Sequence, residues 1–153
     1  MKIMKYYNVN NIIEYSGKLC VIYESTETGM WIRWRKEIEM GTILFLTELE
    51  TEVVKDVEIS DWLLDRVFKR VEGKEIWSAA KDIDQYWITI KHNRLPNSYS
   101  FSRWGKEILT ISTIRQLQNL YNFWREYEEN FKIYGEDLLF VDLDSELQKL
   151  FNL

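Results

Sequence analysis

Apolar and polar residues alternate through the first third of the chain in the manner of strands. "KLCVIYE" at 18–24, "MWIRWRKE" at 30–37 and "TILFLT" at 42–47 each show the two-residue period that sends successive side chains to opposite faces of a sheet. "STETG" and a turn at Gly41 separate them. The pattern predicts an antiparallel meander, preceded by a shorter strand at about 11–15 that turns through Ser16 and Gly17.

The period then changes. In "SDWLLDRVFKRVEG", Leu63, Leu64, Val67, Phe68 and Val71 fall on one face of a helix, with Ser60 or Asp61 as N-cap and Gly73 as the stop. Alternation returns in "QYWITIKH" at 85–92, "SYSFSRW" at 98–104 and "KEILTIS" at 106–112, a second small meander joined through Asn93 to Asn97 and through Gly105. Thr113 and Gln116 have the spacing of a capping box. Ile114, Leu117, Leu120, Trp124, Tyr127 and Phe131 then form a helical stripe that should end near Gly135. A last amphipathic helix at about 143–151 offers Leu143, Leu147, Leu150 and Phe151 to the core.

The expected fold class is therefore α+β: antiparallel β-sheet in two meanders, with about three helices packed on it. The chain holds one proline, Pro96, and no low-complexity linker. Residues 1–153 are thus expected to form a single domain, and that length buries about two thirds of the surface an unfolded chain exposes.

Composition narrows the setting. With 7 Trp, 9 Tyr and 7 Phe the sequence is far from the aromatic-poor composition of a disordered chain. Cys20, alone, has no partner for an internal disulfide, which fits a reducing compartment. The N-terminal stretch lacks the apolar core of a signal peptide, and no apolar run approaches the roughly 20 residues that cross a bilayer. A cytoplasmic protein without membrane contact is expected.

Charge decides how "MWIRWRKE" should be read. On a strand, Met30, Ile32, Trp34 and Lys36 point one way, as a core face would, leaving Trp31, Arg33, Arg35 and Glu37 exposed. Such a Trp–Arg–Arg row can stack on bases and meet phosphates. With Lys91, Arg94, Arg103 and Lys106 it would form a nucleic-acid-binding patch. Tryptophan is also an ordinary strand residue, and basic side chains guard exposed strand faces. The chain carries a net charge of −5. Its densest block is acidic: residues 37–65 hold one lysine, Lys55, against nine carboxylates. A nucleic-acid binder usually shows the opposite balance, so the strand reading is preferred and direct nucleic-acid binding is the alternative.

The acidic block suggests a different partner. "ELETEVVKDVEISD" at 48–61 interleaves carboxylates with Leu49, Val53, Val54, Val57 and Ile59; if extended, it lines up Glu48, Glu50 and Glu52 on one side. A row of negative charge steers a basic protein at high rate. Small acidic proteins that cover the phosphate-binding cleft of a nucleic-acid enzyme, as bacterial toxin immunity proteins and phage-encoded inhibitors do, share this charge and size. Glu48, Glu50, Glu52, Asp56 and Glu58 are the candidate contact with a basic protein partner, a toxin or a nucleic-acid enzyme. The plainer role for these acids is a solvated loop, with Asp61 favouring the start of a helix.

Catalytic signals are sparse. The glycines sit singly at turns, giving no phosphate loop or dinucleotide fingerprint, and no Cys-x-x-Cys or His-x-x-x-His set exists to hold zinc. No cofactor and no catalysis are expected. The single histidine, His92, becomes a general base only if Cys20, a serine such as Ser98, Ser100 or Ser102, or a carboxylate lies beside its ring. Asp82 with Asp84, and Asp142 with Asp144, lack the remaining ligands of a calcium loop. They read as a turn and as a helix N-cap.

Overall fold

Ser16 and Gly17 take positive φ, 52° and 77°, the left-handed pair that a two-residue hairpin favours because its twist matches that of the strands. In the computed structural model, which describes residues 7–79, 88–131 (backbone alone from 128) and 141–153, this turn joins β1 (Ile12–Tyr15) to β2 (Lys18–Ser25). The meander continues antiparallel through β3 (Gly29–Arg33) and β4 (Ile43–Thr47). A 3-10 turn, Glu50–Val53, brings β5 (Lys55–Asp56) back onto the open side of β1. The strand order is β4-β3-β2-β1-β5. Gly29 is required where it stands: a Cβ there would lie 2.1 Å from the Leu46 carbonyl oxygen.

Helix α1 (Asp61–Val67) follows, then a second five-stranded meander in sequential order: β6 (Lys69–Arg70), β7 (Ile76–Ser78), β8 (Ile88–His92), β9 (Tyr99–Arg103) and β10 (Lys106–Ile111). The β9–β10 hairpin repeats the left-handed pair at Trp104 and Gly105. Helices α2 (Ile114–Phe131) and α3 (Leu143–Leu150) complete the α+β fold.

The caps are those the sequence implies. Ser60 Oγ accepts from the Leu63 N–H at 3.2 Å. Thr113 and Gln116 exchange reciprocal bonds of 3.2 Å, and Asp142 caps α3 by accepting from the Ser145 N–H. Each such cap contributes about 1 kcal/mol to its helix.

Two cores result from the alternation. The larger gathers Ile12 and Val21 from the first sheet, Trp77, Ile88, Ile90, Tyr99, Phe101 and Ile111 from the second, and Leu63, Leu64, Ile114, Leu117, Tyr121, Leu143 and Leu147 from the three helices. On the opposite face of the first sheet Ile13, Cys20, Ile22, Met30, Ile32, Leu46 and Val54 form a smaller core with Trp34 against it. At about 1.5–3 kcal/mol for each fully buried large side chain, these clusters dominate the stability.

Three expectations need correction. The strand at 30–37 stops at Arg33. There the Trp34 N–H still reaches the Thr42 carbonyl, but Thr42 Oγ closes the following segment as a loop by donating to the Glu37 carbonyl and accepting from the Glu39 N–H. The helix expected to run to Gly73 ends at Phe68, because Lys69 and Arg70 pair with Ser78 and Trp77 as β6, and Gly73 turns the hairpin instead. Residues 48–53 are not extended: Thr51 is buried and its hydroxyl donates to the Glu48 carbonyl at 2.6 Å, tightening the segment into the 3-10 turn. The expected features at Asp82, Asp84, Gln85–Trp87 and Gly135, and the side chain of Phe131, lie outside the described residues.

Candidate functional site

The acidic segment divides into parts with different work. Glu48, Glu50 and Glu52 radiate from the turn between β4 and β5, all exposed. Glu50 accepts from the Thr47 hydroxyl at 2.8 Å, which fixes its direction. Between them two apolar side chains face solvent, Leu49 at 67% and Val53 at 61% exposure. Val53 also borders a groove of about 260 Å³ shared with Glu14, Tyr15, Ser16, Gly17 and Lys55. The turn thus presents three carboxylates and two apolar side chains to solvent.

Asp56 and Glu58 follow the turn, and each is held by a partner. Asp56 is gripped by Arg115 of α2 through Nε–Oδ1 at 2.7 Å and Nη2–Oδ2 at 3.0 Å, a two-pronged pair that also raises the guanidinium's pKa. Glu58 is exposed and accepts from the Asn97 side chain at 2.9 Å, tying the chain before α1 to the β8–β9 loop.

The residues of the nucleic-acid alternative are divided between the two sheets and the loops that follow their strands. Trp31 is half-buried between Tyr23 and Phe45, with ring centroids 6.2 and 5.2 Å away. Arg33 donates to the carbonyl of Leu153 and to Gln148 of α3, so it fastens the C-terminal helix to β3. Arg35 lies in the loop after β3 and is exposed. On the other sheet Arg103 lies over the rings of Trp124 and Tyr127 at 4.4 and 5.2 Å and pairs across the hairpin with Lys106. Lys91 and Arg94 are exposed on and after β8. Arg33, expected on an open strand face, and Arg103 both serve as packing contacts.

A further constellation is one the sequence does not display, because its members lie 7 to 38 positions apart, on α1, β8, β9 and the turn before β7. Nδ1 of His92 is 3.1 Å from Oδ1 and 3.3 Å from Oδ2 of Asp61. Tyr99 donates its hydroxyl to the same Asp61 Oδ1 at 2.7 Å and stacks on the imidazole with centroids 4.8 Å apart. Burial, then the bond to Asp61 and the nearby carboxylates, push the Tyr99 phenol well above its ordinary pKa, so it remains a donor. Glu75, exposed on the turn before β7, brings a carboxylate to the same place, and its backbone carbonyl accepts from the His92 N–H at 3.0 Å. A carboxylate therefore does lie within reach of the His92 ring. Cys20 is elsewhere, fully buried in the smaller core, where burial pushes its thiol up to about 11.

No protein-family model matches this chain, and no curated protein or solved structure matches it. Among the described residues no helix is long and apolar enough to cross a membrane.

Proposed function

We propose that this protein is a small acidic binding protein that neutralises a basic protein partner, in the manner of a toxin immunity protein or a phage-type inhibitor of a nucleic-acid enzyme, and that it acts without catalysis in the cytoplasm. The observation that carries the reading is the 48–53 turn, where Glu48, Glu50 and Glu52 are exposed together with Leu49 and Val53. Carboxylates of this kind raise the encounter rate with a basic surface, while apolar side chains at the centre slow departure. Glu58 extends the acidic surface toward the β8–β9 loop. Asp56 is left out of the contact, because its charge is committed to Arg115.

The test is capture from the native cells with the tagged chain, before and after nuclease, alongside a Glu48→Lys/Glu50→Lys/Glu52→Lys variant. The proposal requires a stoichiometric basic protein that survives nuclease and is lost with the variant. A partner retained equally by the variant removes the acidic turn from the account. Material that vanishes with nuclease favours direct nucleic-acid binding instead.

A further inference from the structure

We infer that Asp61, Glu75 and His92 form a binding site for a divalent transition-metal ion of the zinc class, with Tyr99 as the group that orients Asp61. This goes beyond the partner-binding reading and does not depend on it. One ligand atom from each of the three side chains lies within 4.8 Å of the other two. One imidazole nitrogen and two carboxylate oxygens are a donor set that suits such an ion, and three protein ligands leave a position for water.

The geometry is close to what coordination needs. Two ligands each about 2.0–2.2 Å from a tetrahedral ion stand about 3.3–3.5 Å apart. Nδ1 of His92 and the Asp61 oxygens are already 3.1 and 3.3 Å apart. Glu75, exposed and on a turn, has the freedom to swing the remaining distance. The surroundings are those of a supported site: Tyr99 donates to the ligating carboxylate of Asp61, and its ring holds the imidazole by stacking.

His92 is the only histidine, which makes its ring signals in proton NMR an unambiguous reporter. The experiment titrates zinc into the full chain, freed of any tag and stripped with chelator, following those signals and the heat of binding together. The expected result is one equivalent of zinc that shifts the His92 signals saturably. Glu75→Gln should weaken binding by about tenfold or more, the scale on which changes around a metal reduce affinity, and His92→Gln should abolish it. Because Glu75 is exposed, Glu75→Gln should melt as the parent does without metal, so its effect reads as a lost ligand. Unmoved His92 signals in excess zinc would overturn the site. So would a Glu75→Gln variant that binds zinc as tightly as the parent.

Discussion

Arg115 and Asp56 are joined by two parallel hydrogen bonds of 2.7 and 3.0 Å, linking helix α2 to the edge strand β5. Both side chains are largely shielded, at 15% and 20% exposure, so the pair is only weakly screened by solvent and salt. Asp56→Ala should destabilise the protein by about 1.5–3 kcal/mol, the range for hydrogen bonds to charged groups. Denaturant unfolding measures this.

Leu49 and Val53 should show the opposite behaviour. Both are mostly solvent-exposed, so truncation to Ala should change stability by no more than about 0.5 kcal/mol. If they form the apolar centre of the contact, dissociation from the partner should accelerate, each losing at least about 1 kcal/mol of binding. Surface plasmon resonance separates this from any change in association.

Cys20 should be inert in the native state. It is fully buried, and its thiol is pushed up to about 11, so little thiolate is present at pH 8. A thiol reagent should label it only after denaturation; rapid stoichiometric labelling of the folded chain would contradict the smaller core as described.

Asp144 predicts a pH dependence with a definite sign. Burial raises its pKa above the ordinary carboxylate value, against the opposing bonds from Gln118 and Asn122, both 3.0 Å. A carboxyl whose folded pKa is raised contributes stability that is complete below the unfolded value and is lost as pH rises through the folded value. Its contribution should therefore grow as pH falls from neutral toward the ordinary carboxylate range. Asp144→Asn, which cannot titrate, should lack that component when melting curves of the two proteins are compared across the window.

Much of the fold was legible in the sequence because burial imposes a period. The alternation around Cys20, Ile32 and Phe101 and the stripe from Ile114 through Leu117 mark faces that do meet a core. What failed was local. Carboxylates at every second position from Glu48 to Glu52 imitate a strand, yet the buried Thr51 hydroxyl turns the backbone there. The helical spacing of Phe68 and Val71 yields to strand pairing of Lys69 and Arg70, a tertiary contact with no local signature. The short strands β5, β6 and β7 carry too few residues to establish a period. For the site, residue type identified exposed acids but not their partners: neither Arg115 opposite Asp56 nor Asp61 beside His92 follows from spacing, since each pair is closed by packing between distant elements.

The central claim is that the 48–53 turn meets a basic protein through its charge. The direct measurement is the association rate with the captured partner by stopped flow, from low to high ionic strength, for the parent and for Glu48→Lys/Glu50→Lys/Glu52→Lys. Electrostatic steering predicts a parent rate that falls by about tenfold or more with added salt, and a variant that is slow at low salt and does not slow further. A parent rate indifferent to salt, or a variant that associates as fast as the parent at low salt, would contradict the account.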